Sequence, residues 1–188
     1  MPKKISGRAH LGRWLLALSL ILSCAIMGPG AQAKDGWRPE GLPGQFRCEI
    51  PQDWRPRDTL APRGEISKAF GDGRHLIRVA YFGNQGPGPK TPKEYLTWFE
   101  TGHDRRFVQG ESLTISGRAA QRWSRRYQVR PQTRRGSRPE SWIFDEVFFL
   151  EGPQGFWALR FSSSAPVFRP EPGGLAIWQR FLKSFKLL

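Results

Sequence analysis

The sequence predicts an α+β domain in which helices pack against an antiparallel β-sheet. The segment 142–161 carries two dense apolar runs on either side of a glycine- and proline-containing turn at 151–155, which predicts a central β-hairpin. Apolar side chains lie on both faces of the first arm, so this arm needs cover on both sides. A capping box at 91–94 and apolar residues at helical spacing over 175–185 predict two helices that can supply it.

The first 33 residues predict a secretory signal peptide. Four basic residues and no acid precede an apolar run over 14–27, and the small residues Ala31-Gln32-Ala33 fit cleavage after Ala33. Because 28–30 reads Gly-Pro-Gly, the apolar run is too short to span a membrane. We therefore expect an exported protein, periplasmic or extracellular, with no transmembrane span after cleavage.

A second interpretation of the same segment is a lipoprotein. The residues 21–24, Ile-Leu-Ser-Cys, resemble a lipobox, in which Cys24 would be acylated and become the mature amino terminus. Cys48 is then the one remaining free thiol. Its alternation with Phe46 and Ile50 predicts a buried side chain that behaves as a small hydrophobe.

The charge of the chain favours anionic partners. Cleavage after Ala33 removes four basic residues and lowers the formal net charge of +14 by four, to +10. About 155 residues remain, enough for one domain with its own core. A charge of this size disfavours self-association, so we expect a monomer whose partner is an acidic protein or an anionic envelope component.

The remaining elements follow in chain order. Residues 34–45 contain repeated glycine and proline without periodicity, which predicts a flexible lead-in. A single globular domain over 46–188 follows it. We expect this domain to contain strands at 46–50, 65–70, 75–82, 113–115 and 119–130, a helix at 91–101, the hairpin, and a carboxy-terminal helix.

The strand over 119–130 carries the charge pattern that predicts a binding face. Arg122, Arg126 and Arg130 alternate with the opposite face, and Arg118 precedes them. No acid occurs until Glu140, and three more arginines follow in the loop: Arg134, Arg135 and Arg138. Since arginine binds phosphate and carboxylate bidentately, the seven arginines predict an anion- or partner-binding surface.

Two alternatives apply to this arginine face. The first is a solvated surface that only keeps the protein soluble, which is the usual role of a charged strand face. Single-stranded nucleic acid is not expected, because the nearby aromatic residues Trp123 and Tyr127 belong to the opposite face.

No catalytic signature, metal site or cofactor site is predicted. The glycines at 71–73 link two strands, and those at 86–88 are interrupted by proline, so neither segment can cradle a phosphate. A hydrolase-type enzyme stays open as an alternative. It would use Asp104 with His103, or Cys48 with His75.

The order of elements resembles the PsbP-like domain, a superfamily that includes the extrinsic PsbP proteins of photosystem II and the Ran-binding Mog proteins. The resemblance covers roughly 45–187 and is carried by the Ile-Pro-Gln-Asp-Trp turn at 50–54, the meander of strands and the closing Phe-Leu-Lys-Ser-Phe at 181–185. It implies an α/β/α sandwich around an antiparallel sheet and a non-enzymatic role. No photosystem or Ran-binding residue is carried over.

Together these observations predict an exported, non-enzymatic accessory or binding domain. We expect it to dock an acidic protein or an anionic envelope surface through its arginine-rich sheet face. The alternatives are the hydrolase-type enzyme and a structural lipoprotein tethered through Cys24.

Overall fold

The computed structural model describes residues 36–57, 66–101, 105–129, 141–165 and 172–188. The predicted signal peptide, with Cys24, lies outside these ranges. Within them the chain forms eleven strands and two helices: β1 (Trp37–Leu42), β2 (Phe46–Pro51), β3 (Arg55–Pro56), β4 (Ile66–Gly71), β5 (His75–Gly83), α1 (Pro92–Glu100), β6 (Val108–Gln109), β7 (Leu113–Ile115), β8 (Arg118–Val129), β9 (Ser141–Gly152), β10 (Gly155–Ala165), α2 (Pro172–Ser184) and β11 (Lys186–Leu187).

The strands form two antiparallel sheets. The larger has the order β3-β4-β5-β10-β9-β8-β6, with β7 also paired to β8, and the smaller has the order β1-β2-β11. The predicted hairpin is confirmed, because β9 pairs with β10 around the turn and the two strands occupy the centre of the larger sheet. Its position explains why the first arm is apolar on both faces.

The expected α/β/α sandwich, an antiparallel sheet flanked by helices, is wrong. Strands dominate the described chain, and β2 leaves the larger sheet to form a second sheet with β1 and β11. This second sheet shares one side of the molecule with α2, whereas the nine-residue α1 is the helix on the other side. The sequence did not reveal the second sheet for two reasons. Strand β1 contains Pro39 and Gly41, which are typical of loops, and β11 has two residues, too few to show an alternating pattern.

The flexible lead-in expected over 34–45 is also wrong where the structure describes it. Trp37–Leu42 pairs with β2 in continuous register, from Trp37 against Pro51 to Leu42 against Phe46. Gly41 permits this pairing, since a Cβ at that position would lie 2.2 Å from the carbonyl oxygen of Phe46.

The larger core lies between the two sheets and α2. It contains Phe46, Cys48 and Ile50 from β2, and apolar side chains from one face of the larger sheet. The indole ring of Trp178 on α2 stacks on Phe161 of β10, with ring centroids 5.6 Å apart. The predicted carboxy-terminal helix is therefore confirmed, and its apolar stripe is the part that enters this core.

The smaller core lies under α1. The buried side chains of Tyr95 and Leu96 pack on the opposite face of the larger sheet, which presents Phe82, Phe149 and Phe156. The helix begins as predicted, because the backbone N–H of Glu94 donates to Thr91 Oγ1 at 3.2 Å. The carboxylate of Glu94 accepts from the backbone N–H of Lys90 rather than from that of Thr91.

Phe181 tests how much α2 contributes to stability. Its side chain is fully buried, so we expect Phe181→Ala to lower the free energy of unfolding by about 3–5 kcal/mol through lost burial and a residual cavity. Urea denaturation followed by circular dichroism measures the change. Lys183→Ala on the exposed side of the same helix is the control, with an expected change within about 0.5 kcal/mol. Similar values for the two variants would contradict the assigned packing.

Candidate functional site

The predicted arginine face is only partly within the described residues. Arg118 and Arg126 on β8 are exposed. Arg118 Nη1 donates to the backbone oxygen of Glu151 at 2.7 Å, and the guanidinium of Arg126 lies 5.5 Å from the centre of the Phe144 ring. The other members of the predicted face lie outside the described residues: Arg130, Arg134, Arg135 and Arg138.

Arg122, the third described member, has a structural role. Its Nε and Nη2 both donate to Oε2 of Glu146, at 3.0 and 2.7 Å. The other carboxylate oxygen of Glu146 accepts from the indole N–H of Trp178 at 2.8 Å. Glu146 thus connects β8 to α2, and Arg122, with 41% of its side chain exposed, lies at the rim of this connection.

Arg125, which sequence reasoning did not select, forms a buried charge cluster on the opposite face of the sheet. Asp145 is fully buried and accepts from Arg125 Nε at 2.9 Å, from Arg160 Nη2 at 2.9 Å and from Ser162 Oγ at 2.5 Å. Arg125 Nη1 also donates to the carbonyl oxygen of Phe99 at 2.6 Å. The cluster joins three adjacent strands and the carboxy-terminal end of α1.

Aromatic rings complete this cluster. The guanidinium of Arg125 lies 4.5 Å from the ring centre of Phe107 and 4.6 Å from that of Tyr127, and Arg160 lies 4.1 Å from that of Phe99. Such ring faces stabilise a desolvated cation. Two guanidinium groups therefore share one carboxylate. Arg160 Nε has no hydrogen-bond partner among the described residues.

The electrostatics of Asp145 follow from these contacts. Burial alone would raise the pKa of Asp145, but the charge of Arg160, the hydrogen bond from Ser162 and the charge of Arg125 outweigh it, so the pKa is lowered. Burial likewise disfavours charged Arg160, yet Asp145 raises the pKa of this guanidinium overall. The cluster is therefore ionised at neutral pH.

A sequence signal for this cluster existed. Asp145 stands inside the apolar run of β9, on the face that it shares with Ile143 and Val147. A carboxylate buried in such a strand requires a cationic partner, and Arg125 and Arg160 are the basic residues that face the core side of the neighbouring strands. The register that brings them together is set by the fold.

Cys48 and His75, one residue pair of the hydrolase alternative, both lie among buried side chains. Burial, followed by the nearby charge of Glu40, raises the pKa of Cys48 to about 12, which disfavours a nucleophilic thiolate. His75 Nδ1 lies 2.9 Å from Asp72 Oδ2, and its ring stacks between Trp54 and Phe161. The other pair, His103 and Asp104, lies outside the described residues.

The described ranges were compared with the requirements of a metal site and of a membrane-spanning helix. They contain no group of three or more His, Cys, Asp or Glu side chains arranged to hold a metal ion. Neither of the two helices described in these ranges is long and apolar enough to cross a membrane.

The sequence comparisons identify no family for this chain. No family model matches it, and no curated protein matches it. The resemblance to the PsbP-like domain therefore stays a prediction.

Solved structures give low structural similarity. A Bacteroides thetaiotaomicron VPI-5482 protein aligns with 80% of this chain at 12% identity and a TM-score of 0.44, and this chain spans about half (48%) of its length. LpqN of Mycobacterium tuberculosis, described as involved in cell envelope biogenesis, aligns with 80% of this chain and 90% of its own at 12% identity and a TM-score of 0.39. At these TM-scores neither alignment carries a conclusion about this chain.

Removal of the buried carboxylate tests the charge cluster. We expect Asp145→Asn to lower the free energy of unfolding by about 3–5 kcal/mol, because Arg125 and Arg160 lose their shared counter-charge in a buried site. Chemical denaturation measures this loss. Asp53→Asn, at an exposed turn position, is the matched control. Equal effects of the two substitutions would show that the cluster does not stabilise the fold.

The same cluster predicts a pH dependence of stability. Since the pKa of Asp145 is lower in the folded state than its ordinary value of about 3.9, its contribution is fully present above that value. The contribution is lost as pH falls through the folded-state pKa. We therefore expect the stability difference between wild type and Asp145→Asn to narrow below about pH 4, as measured by urea denaturation at successive pH values. A constant difference down to the acid unfolding of both proteins would contradict this assignment.

Proposed function

We propose that this chain is an exported accessory domain that binds an acidic protein or an anionic envelope surface, and that it is not an enzyme. The observation that supports the proposal best is the arrangement of charge on β8. This strand carries four arginines and no acidic residue: Arg118, Arg122, Arg125 and Arg126. Two of them, Arg118 and Arg126, are exposed.

Two arginines of β8 pair with buried acids of the neighbouring strand. Asp145 and Glu146 of β9 lie opposite Arg125 and Ser124 of β8, and they pair with Arg125 and Arg122. The third acid of β9, Glu151, is exposed near the end of the strand. Asp145 and Glu146 are buried, and the exposed charged side chains of β8 itself are those of Arg118 and Arg126. An exposed guanidinium can then form bidentate contacts with a phosphate or carboxylate of a partner.

The two ion pairs also prepare this surface for binding. Because Arg122 and Arg125 fix β8 on both faces of the sheet, Arg118 and Arg126 project from a rigid strand. A rigid presentation lowers the entropy that is lost on binding. The long-range electrostatic field of the basic chain would increase the rate of association with an anionic partner. Added salt would screen this field and lower the rate.

Charge reversal of the exposed arginines tests the proposal. If the partner is a lipid surface, we expect the double substitution Arg118→Glu/Arg126→Glu to weaken binding to vesicles that contain phosphatidylglycerol. If the partner is an acidic protein, we expect the same substitution to abolish its crosslink to this chain in cells. Each basic residue near an anionic surface contributes about 1 kcal/mol, so the loss in vesicle affinity should be at least about tenfold. Co-sedimentation and in-cell crosslinking with mass spectrometry are the measurements, and they distinguish a lipid surface from a protein partner.

The matched control is Arg47→Glu with Arg55→Glu. These two arginines are also exposed, on β2 and β3, and the control changes the net charge by the same amount. An equal loss of binding in the two double variants would show that binding depends on net charge alone and not on the position of the arginines. Unchanged association of the folded Arg118→Glu/Arg126→Glu variant in both assays would overturn the proposal.

A further inference from the structure

A groove lies between α1 and the β8 side of the larger sheet. It encloses a cavity of about 970 Å³, and a second cavity of about 820 Å³ adjoins it near the amino-terminal end of α1. The two share four lining residues: Thr91, Pro92, Gln121 and Phe149. They therefore form one continuous depression, and each part has the size of a small-molecule site.

The floor of the groove is apolar. Leu96 of α1, Trp123 of β8 and Phe149 of β9 line it. Leu96 and Phe149 belong to the smaller core, and half-buried Trp123 packs against that core from the side. Thr91 and Gln121 are the polar residues common to both cavities. Thr91 Oγ1 already accepts from the backbone N–H of Glu94, and Gln121 Nε2 donates to the carbonyl oxygen of Gly110. The floor thus suits a hydrocarbon chain better than a polar ligand.

The helix that forms one wall is held at both ends. Thr91 caps its amino terminus, and Arg125 Nη1 donates to the carbonyl oxygen of Phe99 at its carboxy terminus. Glu100 Oε1 accepts from the backbone N–H of Phe107 at 2.7 Å, which ties the helix to the chain leading into β6. The groove is therefore preformed, so a ligand need not order this wall.

The charges along the groove have a net positive sign. Four basic residues line the two cavities, namely Lys90, Lys93, Arg106 and Arg118, against two acidic residues, Glu100 and Glu151. Lys93 and Arg106 line the same cavity as the apolar floor. Glu100, the acid of that cavity, is engaged by the backbone N–H of Phe107. A ligand with a negative headgroup complements this arrangement.

We propose that this groove binds a single-chain amphiphile with an anionic headgroup. The chain lies on Leu96, Trp123 and Phe149, and the headgroup contacts Lys93 and Arg106. The depression meets the docking surface proposed above at Arg118, which lines the second cavity. Arg126 does not line it, and the proposed ligand contacts, Lys93 and Arg106, line the first cavity and are not part of the docking surface. Binding here is a separate activity that does not depend on an acidic protein or a lipid surface.

Two variants of the chain test the site with 11-(dansylamino)undecanoate as the fluorescent probe and dodecanoate as the competitor. Thr97→Trp places a large ring in the groove from an exposed helix position, and we expect it to weaken dodecanoate binding at least about tenfold. Its control is Gln179→Trp, an exposed position on α2. Lys93→Glu with Arg106→Glu should weaken dodecanoate to a similar extent, with Arg47→Glu and Arg55→Glu as the charge-matched control.

A neutral competitor separates the two halves of the site. Below its micelle concentration, dodecyl maltoside should displace the probe weakly. Its own dissociation constant, calculated with the affinity of the probe for each variant, should be unchanged by the Lys93→Glu/Arg106→Glu substitutions. Saturable binding of dodecanoate that only the groove variants weaken supports the proposal. Absent or non-saturable binding, or equal effects of Thr97→Trp and Gln179→Trp in folded proteins, would overturn it. Both groove variants retain Arg118 and Arg126, so failure here is distinguishable from failure of the docking surface.

Discussion

Two consecutive acids in the central strand β9 hold the layers of this protein together. Asp145 and Glu146 project to opposite faces of the larger sheet, and both are buried. On one face Asp145 binds Arg125 and Arg160, and through Arg125 it reaches the end of α1. On the other face Glu146 binds the indole of Trp178 on α2. A buried carboxylate is tolerated only when it is paired, so these contacts constrain where both helices can lie.

This constraint divides the arginines of β8 into two kinds. Arg122 and Arg125 pair with buried carboxylates, whereas Arg118 and Arg126 are exposed and make no ion pair with these two acids. Side chains that lie on the same face of one strand can therefore have different roles. Arg122 forms an ion pair within the protein, and Arg126, on the same face, is exposed to solvent. The surface charges gain rigidity from the structural ones. Stability and the proposed docking role thus depend on the same strand.

The short helix α1 leaves part of the sheet available for a ligand. Its nine residues cover the aromatic side chains of β5, β9 and β10, while Trp123 on β8 remains half-buried beside it. Because polar contacts at both ends fix the helix, the space between α1 and β8 persists as a groove. In the larger core the ring of Trp178 stacks on that of Phe181 with ring centroids 5.3 Å apart, and Phe181 contacts Phe185 at 5.8 Å in a tilted arrangement.

Local patterns in the sequence determined the central hairpin and both helices of this protein. Apolar alternation and turn residues predicted the β9–β10 hairpin, and capping and helical spacing predicted α1 and α2, because these signals act between residues close in the chain. Only the tertiary structure decided the second sheet, in which β2 pairs with the two-residue β11 at the far end of the chain. It also decided the roles of the arginines. Arg125 meets Asp145 and Arg160 through the register of three strands, and no local pattern encodes that register.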